Sequence, residues 1–132
     1  MGTENLTGAI VTGLGRAAGF TEIHWARVAF SELLGCNPFP GTVNVILSSE
    51  KDLKTWGRVK SLPGKLLKPP NADWCNSLCY RAKISGRIAA AIVLPDVKDY
   101  PVDQLELVAS VNVREALSLK DGDAVEIEIH KS

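Results

Sequence analysis

The stretch N-P-F-P-G-T-V-N-V, residues 37–45, places two oxygen-bearing side chains where a strand begins. In an extended chain Thr42 and Asn44 project to one face, and the valines between and after them project to the other. A hydroxyl and a carboxamide oxygen side by side suit Mg²⁺, which prefers oxygen and often takes only one or two protein ligands when substrate phosphates complete its shell. The other interpretation is that both residues satisfy the turn at Gly41.

A second candidate is the glycine-rich segment G-L-G-R-A-A-G-F, residues 13–20, which follows a short apolar run. Small residues let backbone N–H groups approach a phosphate closely, and Arg16 could reach a phosphate oxygen. The segment matches neither the Walker pattern nor GxGxxG. A tight strand-to-helix turn explains it equally well.

Among the carboxylates, Glu106 is notable because it stands between Leu105 and Leu107 in an apolar stretch. It can face solvent by alternation, hold a polar ligand group or accept a proton. Arg114 and Glu115 open a short helical pattern, where they form a surface pair or frame a nucleotide. The sequence contains no Ser-His-Asp, Cys-His or HExxH arrangement.

The three cysteines and a group of basic residues have weaker functional interpretations. Cys75 and Cys79 have the spacing of half a metal site, but the two histidines are far from them in sequence, so structural thiols are favoured. An odd cysteine count without an export signal favours a reduced, cytoplasmic protein. Some basic side chains could face phosphates, although a solvated surface is favoured for Lys51, Lys54, Arg58, Lys60, Lys65 and Lys68.

These residues must be positioned by a chain that alternates short strand patterns with turns. One amphipathic helix is predicted from Thr21, with Gly35 at its end. Ser85-Gly86 suits a two-residue hairpin, and residues 51–74 are expected to be loop with one short strand. Strands are predicted over residues 8–12, 43–47, 79–84, 87–94, 105–111 and 124–129, and a helical turn over 113–117.

These strands and helices do not alternate in the β-α-β order of a parallel sheet. They predict a mainly β domain over residues 1–132, a small barrel with one flanking helix and short helical turns. Lys+Arg and Asp+Glu are both 15 in 132 residues, so the formal net charge is zero. Nucleic-acid binding usually requires a basic excess and is not expected. No apolar run approaches the roughly 20 residues that span a bilayer, and no obligate protein partner is evident.

Several segments occur in an order that resembles the archaeal-type, CTP-dependent riboflavin kinases. They are V-T-G-L-G, N-P-F-P-G-T-V-N-V, A-I-V-L-P, D-Y-P-V-D-Q-L-E-L-V-A, V-R-E-A-L and L-K-D-G-D. The resemblance extends from about Gly8 to Ile129. It implies a six-stranded cradle-loop (RIFT-like) barrel and a kinase that converts riboflavin to FMN with CTP and Mg²⁺, releasing CDP.

By this resemblance Thr42 and Asn44 would bind Mg²⁺, and Lys98 and Glu106 would bind the acceptor. The nucleotide would be bound by two segments: Leu14, Gly15, Arg16, Ala17, Ala18 and Gly19, and then Val111, Asn112, Val113 and Arg114. The resemblance identifies no catalytic base.

The chain departs from the family pattern at three places. The glycine segment reads GLGRAAGF where the family has a sequence close to GLGEGxYF, Lys98 occupies the position of an expected threonine, and the segment before Ala90 is shortened. A different hydroxyl acceptor and a nucleotide-binding sensor are therefore alternatives. The ending L-S-L-K-D-G-D-A-V-E-I-E-I also resembles strands of small-barrel DNA-binding regulators, which zero net charge disfavours.

Overall fold

The computed structural model describes residues 2–12, 24–70, 76–98 and 100–130. Within them, seven strands form one antiparallel sheet in the order β3-β4-β5-β6-β2-β1-β7, and β7 also pairs with β4. The second pairing of β4 closes six strands into a barrel, with β3 as an extra strand at its side. The strands are β1 (Thr3–Val11), β2 (Val43–Ile46), β3 (Lys65–Leu67), β4 (Ser77–Ile84), β5 (Ile88–Pro95), β6 (Gln104–Ala109) and β7 (Ala124–His130).

The barrel interior is filled by alternate apolar side chains from every closing strand. In β7, Val125, Ile127 and Ile129 are buried while Glu126 is exposed, so the predicted alternation is confirmed. On β2 the inward residue is Val45, which is fully buried. Asn44 therefore lies on the outer surface of the barrel wall, as the alternation predicts.

Two tight positions fix the strand arrangement. A Cβ at Gly8 would lie 2.4 Å from Val45 Cγ1, so only glycine lets β1 approach β2 this closely. Ser85 and Gly86 both have positive φ, 53° and 70°, and lie in the hairpin that connects β4 to β5. Because Ile84 pairs with Ile88, this connection is residues 85–87, one residue longer than predicted.

Helix α1 (His24–Leu34) packs on the outer face of β5 and β6. Its Ala26 and Phe30 are completely buried against Ala91 and Val108 of the barrel wall. The predicted helix is thereby confirmed from residue 24 onward, and Gly35 ends it with a φ of +77°. Its predicted start at Thr21 lies outside the described residues.

The expectation of loop with one short strand over residues 51–74 was wrong for residues 51–60, which belong to helix α2 (Glu50–Lys60), whereas the short strand is present as β3. Ser49 caps the helix by accepting from Asp52 N, and acidic residues at the first turn and basic ones at the last complement the helix dipole. Trp56 and Val59 are buried in the same cluster as the inward-facing strand residues. The low helical propensity of Thr55 and Gly57 obscures this pattern in the sequence.

The third helix, α3 (Val113–Leu117), is the predicted helical turn. Asn112 caps it, and Ser118 ends it in the left-handed conformation. Strand boundaries differ modestly from the predictions; β1 begins at Thr3 rather than near Gly8. Among the described residues, no helix is long and apolar enough to cross a membrane.

Candidate active site

Thr42, Asn44 and Glu106 lie together on the outer face of the barrel wall. Strands β2 and β6 pair so that Asn44 stands directly opposite Glu106, and on the other side Glu106 stands opposite Val93 of β5. Side chains directly opposite one another in an antiparallel pair are within contact distance. The structure thus places the two residues predicted to bind metal next to one residue predicted to bind the acceptor.

Hydrogen bonds orient this group. Tyr100 donates its hydroxyl hydrogen to Glu106 Oε1 at 2.8 Å, and Thr42 Oγ1 lies 3.5 Å from Glu106 Oε2, at the outer limit of a hydrogen bond. Gln104 Nε2 donates to Asn44 Oδ1 at 3.3 Å. The Glu106 carboxylate therefore receives one firm contact and one long contact, both from neutral hydroxyls.

Tyr100 is held in its protonated form. Burial raises the pKa of its hydroxyl well above the ordinary value, and the hydrogen bond to Glu106 and the negative charge of that carboxylate raise it further. Ionising the phenol would place a second negative charge beside the first. Tyr100 is thus a hydrogen-bond donor throughout the neutral range.

The oxygen atoms of this group fit the preferences of Mg²⁺. When Thr42 directs its hydroxyl hydrogen toward Glu106, its lone pairs remain available to a cation, and an amide oxygen such as Asn44 Oδ1 has a second lone pair beyond the one that Gln104 uses. The nearby Glu106 carboxylate adds negative charge. Asn44 is nine-tenths buried, so its oxygen is already desolvated and positioned.

A pocket of about 450 Å³ lies next to this group and includes Tyr100 in its wall. Its volume is within the range typical of small-molecule sites. Lys60 lies 5.7 Å from the centroid of the Trp56 ring, so a cation and an aromatic surface are adjacent. The wall consists of Trp56, Lys60, Leu66, Asn76, Ser77, Leu78, Leu94, Pro95, Asp96, Val97, Tyr100 and Pro101.

Lys98, the other residue predicted to bind the acceptor, is exposed and is not part of the pocket wall. It follows Asp96 and Val97, which are part of that wall. The structure therefore places Lys98 beside the pocket but does not bring it to Glu106.

The predicted nucleotide segment 111–114 contributes its residues in different ways. Val113 is buried in the core, and the Asn112 side chain accepts from Glu115 N at 3.2 Å as the cap of α3. Val111 is exposed. Asn112 and Arg114 are both half-buried, but the Asn112 side chain is used as the helix cap, so Val111 and Arg114 are the better candidates for contact with a ligand.

Arg114 forms an ion pair with Asp121, in which Arg114 Nη2 donates to Asp121 Oδ1. Asp121 Oδ2 accepts a second hydrogen bond, from Thr12 Oγ1 at 2.7 Å. The hydrogen bond from Thr12 is the main cause of a lowered pKa of the Asp121 carboxyl, and Arg114 lowers it further. Asp121 thus connects the end of the first strand to the start of α3.

The glycine-rich residues predicted to bind phosphates, 14–19, lie outside the described residues. Most of the basic group is surface: Lys54 pairs with Glu50, Arg58 with Glu4 and Lys65 with Glu32, and Lys51 and Lys68 are exposed. Lys60 is the exception, because it is part of the pocket wall.

The cysteine interpretation is tested at Cys79 only, since Cys75 lies outside the described residues. Burial raises the pKa of the Cys79 thiol to about 12, so the thiol stays protonated and is a poor metal ligand. Within the described ranges, no three His, Cys, Asp or Glu side chains form a metal-binding group.

Sequence reasoning missed three contributors to these sites: Tyr100, Trp56 and Asp121. Tyr100 and Asp121 stand within segments that match the family pattern, but their partners are distant in sequence or on other elements. Trp56 was missed because α2 was not recognised. The Ser49-x-x-Asp52 capping pattern is the signal that could have identified that helix.

Comparison with known proteins gives two findings. Residues 10–129 match the family model CTP-dep_RFKase, whose description is "Domain of unknown function DUF120". Similar curated proteins include riboflavin kinases from Pyrobaculum aerophilum, 37% identical over 94% of this chain, and Methanosarcina acetivorans, 38% identical over 96%. Another, from Methanocella arvoryzae, is 34% identical over 97% of the chain.

The matches cover 60%, 54% and 58% of those relatives, so the chain spans little more than half of their length. The relatives are nevertheless similar across nearly all of this chain, and the matched region contains both carboxylate groups described above. The chain therefore belongs to the CTP-dependent riboflavin kinase family.

Proposed function

We propose that this domain is a kinase that transfers a phosphoryl group from CTP to the ribityl hydroxyl of riboflavin, forming FMN and CDP, with Mg²⁺ bound at Thr42 and Asn44. One observation carries the proposal: Thr42, Asn44 and Glu106 converge on adjacent strands, and Tyr100 connects them to a pocket of about 450 Å³. The names of the curated relatives support the same substrate.

The reaction requires positioning and charge neutralisation more than covalent chemistry by the protein. The acceptor oxygen forms a bond to the γ-phosphorus, the bond from that phosphorus to CDP breaks, and the hydroxyl proton is released. Mg²⁺ at Thr42 and Asn44 would neutralise phosphate charge. Backbone N–H groups of residues 14–19 and the Arg114 side chain bind the donor phosphates in this proposal.

The acceptor occupies the pocket next to Glu106. Tyr100 gives the wall aromatic surface suited to the flat flavin ring, and Leu66, Leu78 and Leu94 add apolar area. Trp56 also borders the pocket but is buried in the core. Glu106 accepts a hydrogen bond from a hydroxyl of the acceptor, and the Tyr100 hydroxyl fixes the direction of its carboxylate. The acceptor is thereby held beside the oxygen atoms that bind the metal.

The first experiment tests donor and acceptor together. CTP with Mg²⁺ should stabilise the domain more than ATP does, by ~2.7 kcal/mol at about a hundred times the dissociation constant. Riboflavin should then be converted to FMN with CTP as donor. Equal stabilisation by all four triphosphates, with no FMN formed, would refute the proposed function.

The second experiment tests the metal ligands. Thr42→Val and Asn44→Leu each remove one oxygen and keep the side-chain size, so metal-dependent turnover should fall on the order of tenfold to a thousandfold. Thr7→Val on β1 is the matched control, because it removes an exposed strand hydroxyl away from the site. If Thr42 and Asn44 only satisfy the turn at Gly41, melting temperature falls while Mg²⁺ titrations of turnover are unchanged.

Lys98 favours a second candidate, a kinase for a hydroxyl acceptor that carries negative charge. Lys98 is exposed beside the pocket-wall residue Val97, at the position where a threonine is expected in the family. Riboflavin should then be a weak substrate, and Lys98→Thr should increase its turnover. Brisk conversion of riboflavin by the wild-type domain, with no gain in Lys98→Thr, would reject this candidate.

A further inference from the structure

The Asp121 carboxylate contacts two segments that are far apart in sequence, and one of them, 111–114, is predicted to bind the nucleotide. Its two carboxylate oxygens accept from different segments, one from Thr12 Oγ1 at 2.7 Å and the other from Arg114 Nη2. Thr12 is the residue that leads into the glycine-rich segment, and Arg114 is in α3. The carboxylate therefore connects a residue predicted to bind the nucleotide, Arg114, to the residue that follows β1, Thr12.

The backbone fixes the position of Asp121. Gly122 N donates to Ile10 O at 2.8 Å, and Ile10 N donates to Asp123 O at 2.9 Å, so the two residues that follow Asp121 are bonded to β1. Asp123 also accepts from Lys120 N at 2.9 Å and closes the turn. A side chain on so constrained a turn offers its carboxylate in a defined direction.

The electrostatics distinguish positioning from direct binding. A carboxylate repels phosphate, so an acid beside a donor site is tolerated when a cation offsets its charge. Arg114 provides that offset, and one guanidinium nitrogen facing Asp121 leaves other N–H donors of the same group available. The hydrogen bonds from Thr12 and then Arg114 lower the pKa of the Asp121 carboxyl, so both contacts favour its ionised form.

We propose that Asp121 is a positioning residue for the phosphoryl donor: it orients the Arg114 guanidinium, and its second contact, to Thr12, holds the carboxylate in place. Asp121 acts through Arg114 and does not itself contact the donor. The inference rests on the proposed function, because it assumes that Arg114 binds CTP.

The test compares Asp121→Ala and Asp121→Asn with wild type in CTP-dependent phosphorylation. Loss of the orienting carboxylate should raise KM for CTP by about ten- to a hundredfold, as expected when a binding group is displaced. KM for riboflavin should change little, because Glu106 and its pocket are untouched. Asp121→Glu retains the charge and should recover part of the CTP affinity.

Two controls separate positioning from general damage. Glu126→Gln removes one exposed carboxylate from β7 and should leave KM for CTP unchanged. Asp123→Asn weakens the turn through its contact with Lys120 N, and should lower the melting temperature without a comparable rise in KM. Combining Thr12→Val with Asp121→Ala should add little to the effect of Asp121→Ala alone, because both act on one contact.

The outcomes are distinguishable. If wild type binds CTP and both Asp121 variants keep its KM, the inference is overturned while the proposed function stands. If Asp123→Asn raises KM as much as Asp121→Asn does, Asp121 only supports the turn and the inference is again overturned. If the folded wild-type domain binds no CTP, the proposed function fails and this inference fails with it.

Discussion

Two carboxylates in this domain have the same pattern of contacts but different surroundings. Glu106 and Asp121 each lie near a threonine hydroxyl and accept from one further donor, Tyr100 for Glu106 and Arg114 for Asp121. Glu106 is partly buried on a barrel strand and has neutral donors. Asp121 is exposed on a turn and has a cationic donor.

The difference indicates how the two groups suit different tasks. A partly buried carboxylate with neutral donors keeps its negative charge uncompensated, so it can interact strongly with a substrate hydroxyl or a nearby cation. An exposed carboxylate paired with arginine has its charge offset and is screened by solvent, so its contribution is geometric. The first is suited to binding and the second to positioning.

The largest effect should come from Glu106→Gln, which keeps the size of the side chain and removes its charge. Turnover of riboflavin should fall about a hundredfold or more, as for loss of a key electrostatic group in an active site. CTP affinity should change far less. Steady-state assays with each substrate measure these effects, and Asp121→Asn is assayed alongside. Asp121→Asn should raise KM for CTP and change the kinetics with riboflavin little. Riboflavin turnover within about twofold of wild type would contradict the binding role of Glu106.

Tyr100→Phe should have the next largest effect, because it removes the 2.8 Å hydrogen bond to Glu106 and leaves the ring in place. We expect about a tenfold loss of kcat/KM for riboflavin, equivalent to ~1.4 kcal/mol. Tyr80→Phe is the matched control, since it removes a phenol that donates to Leu62 O instead. Equal losses in both variants would point to general destabilisation.

The raised pKa of Tyr100 adds a pH signature to this variant. The protonated phenol is favoured in the folded state, so its contribution to stability is complete below pH 10 and is lost as pH rises through the higher folded pKa. The melting temperatures of Tyr100→Phe and wild type should therefore differ most at neutral pH and least in strong alkali. Melting curves of both proteins across that range measure the difference.

A smaller effect concerns ionic strength. Because the Arg114–Asp121 pair is exposed, salt should weaken it, and the KM ratio of Asp121→Asn to wild type for CTP should shrink as salt increases. The loss caused by Glu106→Gln should be nearly constant over the same range. Kinetics at low and high potassium chloride test this contrast. An Asp121→Asn ratio that is independent of salt would mean that charge is not what matters there.

The smallest effect is the acid dependence of stability at Asp121. Its folded pKa is lowered, so any stabilisation is present above the ordinary value of 3.8 and is lost as pH falls through the lower folded value. The melting temperatures of wild type and Asp121→Asn should differ slightly at neutral pH and converge in acid. A difference that persists at the lowest pH would exclude the carboxylate charge as its cause.

The sequence predicted the barrel because strand alternation is local and strong, most clearly in β7 and at Thr42 and Asn44. It did not predict α2, because Gly57 and Thr55 weaken the helical pattern and much of the helix's stability comes from tertiary burial of Trp56 and Val59. The sequence also could not predict the strand register that places Asn44 opposite Glu106, because these strands are separated by about sixty residues.

The contacts of Glu106 and Asp121 could likewise be predicted only in part. Glu106 was identified as a candidate from its apolar neighbours, but its donor Tyr100 depends on how the segment between β5 and β6 folds back. Asp121 gave no signal by itself, because its contact with Thr12 joins residues 109 positions apart. Residue type and alternation predict which face a side chain occupies, whereas its partners follow from barrel closure.

Barrel closure also constrains how the chain can fold during synthesis. Strand β1 pairs along its length with β7, and β4 completes the ring through Ile84, which stands opposite Ile127. Until β7 leaves the ribosome, β1 has an unpaired edge and the apolar interior is open to water. We expect folding to be slow and barrel closure to wait until β7 has been synthesised, as for other topologies dominated by distant contacts. Nascent chains that stall before residue 124 should be sensitive to proteases and dependent on chaperones.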